Sequence, residues 1–104
     1  MILFVDIDHT ICKTPDGLDN SLAVPLPDRI KKINKLFDQG HTVIYWTARG
    51  SGTGLDWREV TEKQFEEWNV KHHELRLGKP VYDICIDDKN VNAESFFKSV
   101  EWFE

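Results

Sequence analysis

Residues 2 to 5, Ile-Leu-Phe-Val, are apolar without a break and run straight into Asp6-Ile7-Asp8. So short a continuous apolar run is expected of a strand covered on both faces, an arrangement found mostly in parallel sheets. It also sets a chemical condition. Two carboxylates at the end of a buried strand need a cation, a lysine or water to balance them.

The rest of the chain alternates helix and strand signals. Residues 13 to 27 are rich in Pro, Gly, Asp and Asn and read as a loop or short hairpin. Pro27 opens a helix to about Gln39, with Ile30, Ile33, Leu36 and Phe37 at helical spacing and Gly40 as its stop. His41 to Thr47 is a second strand rich in β-branched and aromatic residues. The glycine-rich segment 50 to 54 breaks it, and Asp56 with Glu59 is expected to cap a helix from Trp57 to about Trp68. Val70 to Leu75 reads as a short strand, Val81 to Ile86 as another that runs into Asp87-Asp88, and Asn92 as the cap of a last helix over 93 to 98. This order predicts a three-layer, Rossmann-like α/β domain with a mainly parallel sheet.

With 104 residues and no linker, repeat or low-complexity tract, the expectation is one domain over 1–104. Thirteen basic against eighteen acidic residues give a net charge of −5, and the basic residues form no single run. That argues against a broad nucleic-acid surface, which rests on many phosphate contacts. The start of the chain shows no basic leader, and its apolar run is too short for a signal peptide or a membrane span. Cys12 and Cys85 imply no disulfide framework and read as small packed hydrophobes in a reducing cytoplasm.

In open α/β sheets ligands bind beyond the carboxyl ends of the strands. Asp6, Asp8, Thr47, Asp87 and Asp88 all fall at such ends, on three expected strands. Carboxylates from the first and last of them can hold Mg²⁺, a hard cation that takes oxygen ligands. With a cation and Lys79 nearby, Asp6 stays ionised and can attack phosphorus to form an aspartyl-phosphate. Asp8 lies two residues on and therefore on the same side of an extended chain, within reach of a leaving-group oxygen as general acid or of water as general base. Thr47 and Lys79 are placed to hold phosphate oxygens.

Asp6-Ile7-Asp8-His9-Thr10, Thr47 within Tyr45-Trp46-Thr47-Ala48-Arg49, Lys79 within Gly78-Lys79-Pro80, and Ile86-Asp87-Asp88 resemble the four ordered motifs of the haloacid dehalogenase-like (HAD) superfamily. The resemblance spans residues 1 to about 98. It implies Asp6 as nucleophile and Asp8 as general acid/base. It also implies phosphate binding by the Thr47-Ala48-Arg49 segment and Lys79, and a Mg²⁺ site from Asp6, the Asp8 carbonyl, Asp87 and Asp88, with Asp88 the more direct ligand of the pair. An aspartate at position 8 resembles the phosphatases and phosphotransferases of this superfamily rather than its dehalogenases. The intervals from Thr10 to Pro27 and from Thr47 to Lys79 leave no room for a cap domain. A capless member is expected to take large substrates or to close its site with a second subunit. A further resemblance to short capsule- and polysaccharide-biosynthesis phosphatases suggests a phosphorylated sugar. Phosphatase action on nucleic-acid ends is a weaker alternative on charge.

Plainer readings stand beside these. The aspartates can be turn caps, and Thr47 an ordinary strand residue. Arg49 either reaches a substrate phosphate or forms a structural salt bridge. The role of His9 is open. Adjacent His72 and His73 face opposite sides of a strand and read as packing or surface residues. Trp46, Trp57, Trp68 and Trp102 read as core or interface residues, and Trp102 and Phe103 suit an oligomer interface. A receiver-like phosphoacceptor module also uses Asp, Thr and Lys around Mg²⁺. Receivers place their acidic pair after the first strand, whereas here the adjacent pair comes last.

Overall fold

The computed structural model describes residues 1–15 and 19–99. The strands are β1 (Ile2–Val5), β2 (Cys12–Lys13), β3 (Val24–Pro25), β4 (Thr42–Trp46) and β5 (Glu74–Arg76), and the helices α1 (Pro27–Asp38), α2 (Arg58–Glu67) and α3 (Ala93–Lys98). β1, β4 and β5 form a parallel sheet in that order, with Val5 level with Tyr45 and Tyr45 level with Leu75. β2 and β3 make a two-residue antiparallel ladder, which gives the expected short hairpin between Lys13 and Pro27.

Local sequence accounts for most of these elements. Pro27 sits in the first turn of α1, where its missing N–H costs nothing, and Ile30, Ile33 and Leu36 bury one stripe of the helix. Gly40 ends the connection at φ +96°, a conformation that glycine adopts without strain. The Asn92 side chain accepts the Glu94 N–H at 2.9 Å and caps α3 as expected. α2 begins at Arg58, whose N–H bonds the Asp56 carboxylate at 3.0 Å.

Successive crossovers in one direction place their helices on one face of the sheet. Val5, Val43, Tyr45 and Leu75 therefore share a single core with Ile30, Ile33 and Leu36 of α1 and Phe65 of α2. α3 lies against α1, where Lys32 Nζ donates to the Phe96 carbonyl at 3.0 Å and Arg29 pairs with Glu94 at 2.7 Å. The opposite face, with exposed Ile2 and Phe4 and half-buried Trp46, lies outside that core. The expected third layer and the two-sided cover of β1 are thus corrected. An unbroken apolar run told of strand propensity, but burial of the second face requires a helix that this order does not deliver.

The expected strand at 81–86 is also corrected. Residues 81–88 are irregular and exposed throughout. The segment ends in a turn, where the Asp87 carboxylate accepts the Lys89 N–H at 3.2 Å and Asn90 Nδ2 donates to the Cys85 carbonyl at 3.3 Å. The tryptophan and phenylalanine at 102 and 103 lie outside the described residues.

Within the core, the Tyr45 ring packs edge-on against Phe65 at 4.9 Å, and its buried hydroxyl has no hydrogen-bond partner among the described residues. A buried polar group without a partner costs free energy. Tyr45→Phe should therefore raise unfolding free energy by about 1 kcal/mol in urea titrations. A loss of stability would mean that the hydroxyl is satisfied.

Candidate active site

Immediately after β1 the chain turns tightly. The Thr10 and Ile11 N–H groups both bond the Ile7 carbonyl, at 3.1 and 2.9 Å, and His9 adopts the left-handed region at φ +61°. Ile7, Ile11 and Cys12 are fully buried and anchor the turn from below. Asp6 and Asp8 consequently emerge at the carboxyl end of the sheet, as the sequence predicts.

Lys79 reaches the same end. Its backbone N–H bonds the Thr47 carbonyl at 3.0 Å, its carbonyl accepts the Ser51 hydroxyl at 2.8 Å, and its Nζ lies 3.7 Å from Asp6 Oδ1. The ammonium group also sits over the rings of Trp46 and Tyr82, at 5.9 and 5.5 Å. Burial raises the Asp6 carboxyl above its ordinary value, with Lys79 pulling the other way.

Asp8 has a different environment. Arg49 Nε and Nη2 each donate to one of its carboxylate oxygens at 3.0 Å, a bidentate fork, and Thr14 Oγ1 donates to Oδ1 as well. Burial opposes the charge of Asp8, but the Arg49 and Thr14 bonds outweigh it and hold the carboxyl below its ordinary value. Cys12 lies beneath, its thiol pushed up to about 11 by burial and by the Asp8 charge, in keeping with a packing role.

Arg49 is the residue for which the structure decides between the two readings. Its side chain is fully buried, and Nη1 donates to Thr61 Oγ1 at 2.9 Å and to Gln64 Oε1 at 2.6 Å. The guanidinium is occupied by protein groups, so direct binding of substrate phosphate by its side chain is corrected to a structural ion pair. Thr47 is 1 % exposed, its hydroxyl accepting the Arg49 N–H at 3.1 Å, so it shapes the turn under Lys79. Ala48 accepts the Ser51 N–H at 2.9 Å in the same turn. At Gly50, with φ +81°, a Cβ would stand 2.1 Å from the Leu55 carbonyl oxygen, and only glycine fits there. Beside this turn an open pocket of about 180 Å³ is lined by residues including Gly50, Ser51, Leu55, Leu77 and Gly78.

Thr14, Thr61 and Gln64 escaped sequence reasoning. A signal did exist for the last two, since they are polar residues on the same stripe of α2 as Phe65 and such positions require a buried partner. His72 and His73 behave as read. His73 stacks on Phe37 at 4.5 Å and accepts the Val43 N–H, while His72 packs edge-on to Phe65 at 4.9 Å.

Asp87 and Asp88 are not brought to Asp6 and Asp8. Among the described residues, no three His, Cys, Asp or Glu side chains are grouped so as to hold a metal ion. One chain in this arrangement therefore does not fit the Mg²⁺ site that the motifs implied, because the irregular 81–86 segment carries the acidic pair elsewhere. No described helix is long and apolar enough to cross a membrane.

No family model and no curated protein matches the chain. Among solved structures, the crystal structure of an MCSG target protein from Vibrio cholerae is similar over 94 % of this chain and 88 % of that one, with a TM-score of 0.81 and 21 % identity. At that identity the likeness establishes a shared fold: this chain adopts an α/β architecture already seen in a crystal.

Proposed function

We propose that the protein is a phosphatase of the HAD type that hydrolyses a phosphomonoester through an aspartyl-phosphate on Asp6. The observation that carries the reading is the Asp6 carboxylate 3.7 Å from the Lys79 ammonium group, at the carboxyl end of a parallel sheet, with a second carboxylate fixed two residues on. Asp6 attacks phosphorus and displaces the alcohol, and Lys79 balances charge on the transferring phosphoryl oxygens. Water then cleaves the acyl phosphate, releasing phosphate and restoring the carboxylate. Asp8, with both oxygens engaged by Arg49, is suited to take the proton of that water; giving a proton to the leaving group requires it to slip free of the fork. In this reading Mg²⁺ would share the phosphoryl charge, but the described residues of one chain do not group enough donors to hold it. The substrate is a phosphorylated sugar or a larger molecule, in keeping with a site that no cap domain covers.

Acid-quenched reactions with radiolabelled acetyl phosphate should trap a hydroxylamine-sensitive acyl phosphate that turns over within seconds and is missing from Asp6→Asn. A phosphoprotein that persists would instead identify a receiver-like acceptor. Absence of label in the parent protein would remove Asp6 as nucleophile.

A further inference from the structure

Three features of the molecule are left exposed or apart, and they complement one another. β1 is an edge strand, paired to β4 on one side and to no strand on the other among the described residues, with Ile2 and Phe4 69 % and 51 % exposed. Residues 81–86, Val-Tyr-Asp-Ile-Cys-Ile, have strand-forming composition yet stand in solvent, Ile84 at 78 % and Ile86 at 95 % exposure. The acidic pair that follows lies apart from Asp6 and Asp8.

We propose that a second copy of this chain covers the free edge. Residues 81–86 of one subunit add to β1 of the other as a parallel strand, and Asp87 and Asp88 of the partner subunit complete the carboxylate set at Asp6 and Asp8. The catalytic meaning of this exchange rests on the phosphatase reading; the exchange itself does not.

Register supports the pairing. When Asp87 is level with Asp6, Ile84 and Ile86 come level with Leu3 and Val5, whose side chains pack in or against the core. Tyr82, Ile84 and Ile86 then share the helix-covered face, and Asp83 and Cys85 share the open face with Ile2 and Phe4. A shift by one residue would turn every isoleucine outward.

The chain's own segment cannot take this place while Lys79 stays where it is. Lys79 is held beyond the carboxyl end of β4 by the bond from its N–H to the Thr47 carbonyl. Four residues on, Asp83 would have to lie level with Ile2 on the far side of β1. Four extended residues span at most about 14 Å. The descent along β1 is about 13 Å and the crossing is two strand spacings of about 4.8 Å, about 16 Å in all. Lys79 and the acidic pair therefore serve one site together only when they come from different subunits.

Light scattering at high micromolar concentration should give the mass of a dimer, and Ile84→Asp should yield a monomer that keeps the helical bands of the far-ultraviolet circular dichroism spectrum. A parent protein that is monomeric, or an Ile84→Asp dimer as tight as the parent, overturns the exchange. Phe4→Cys, placed level with Cys85, should give a covalent dimer on oxidation, whereas Thr53→Cys should not; equal cross-linking of the two overturns the register. Asp6→Asn and the double variant Asp87→Asn/Asp88→Asn should each be inactive, and refolding them as an equal mixture should recover about a quarter of parental activity, because half the dimers are mixed and each holds one intact site. A mixture that stays inactive overturns the shared site. If Asp6→Asn keeps parental turnover, the phosphatase reading fails, while the mass and cross-linking results still decide the exchange.

Discussion

Asp6→Asn should lower phosphomonoester turnover by at least about a thousandfold while leaving the fold intact. Asparagine keeps the shape of the side chain but offers no anionic oxygen to phosphorus. Stability should not suffer, for a physical reason specific to this position. Burial raises the Asp6 carboxyl above its ordinary value, so the folded state bears a cost for the charge that Lys79 and the Ile7 N–H offset only in part. The neutral amide removes that cost. The same shift fixes the pH profile of the parent enzyme. The nucleophile must be ionised, so activity falls as pH drops through the folded-state value of Asp6, which lies above that of an ordinary carboxylate. An acid limb at or below the ordinary aspartate range, or p-nitrophenyl phosphate hydrolysis by Asp6→Asn at the parental rate, would assign the chemistry to another group.

What could be read beforehand and what could not divides along a physical line. The Asn92 cap, Pro27 at the start of α1, the apolar stripe of that helix and the strand at 42–46 depend on neighbours within a few residues, and sequence carries such information directly. The placing of Asp6, Asp8 and Thr47 at one edge was also legible, because strands in a parallel sheet all end there, whereas Lys79 lies at no strand end and was legible only through its motif. The segment at 81–86 has the composition of a strand, but strand propensity states only that side chains suit a pleated surface. Whether such a surface is within reach depends on where Lys79 is anchored, a tertiary fact. Arg49 shows the same limit. Its choice between substrate and salt bridge is settled by groups 12, 15 and 41 residues away.

Arg49→Ala should cost about 3 kcal/mol of unfolding free energy at neutral pH, a fall in Tm of roughly 12 °C or more for a domain of this size. The guanidinium is fully buried, and its removal leaves a cavity together with the Thr61 and Gln64 oxygens it had satisfied. Asp8 loses its counter-charge but keeps some access to water, its side chain being 23 % exposed, which holds the loss to the lower end for a broken buried pair. Lysine should restore little, since an ammonium group cannot fork across both carboxylate oxygens. The pH dependence separates this account from simple cavity formation. In the parent protein Asp8 is held below its ordinary value of 3.8, so its ionised form contributes stability that is present above that pH and lost as pH falls through the lower folded value. Without Arg49, only the Thr14 and Cys12 hydrogen bonds are left to oppose burial at Asp8, and the stabilising contribution shrinks. The stability gap between parent and variant should therefore be widest near neutrality and close as the solution is acidified below the ordinary aspartate range. Urea titrations at neutral and acid pH that return the same gap would show that Arg49 acts there by filling space, without an electrostatic hold on Asp8.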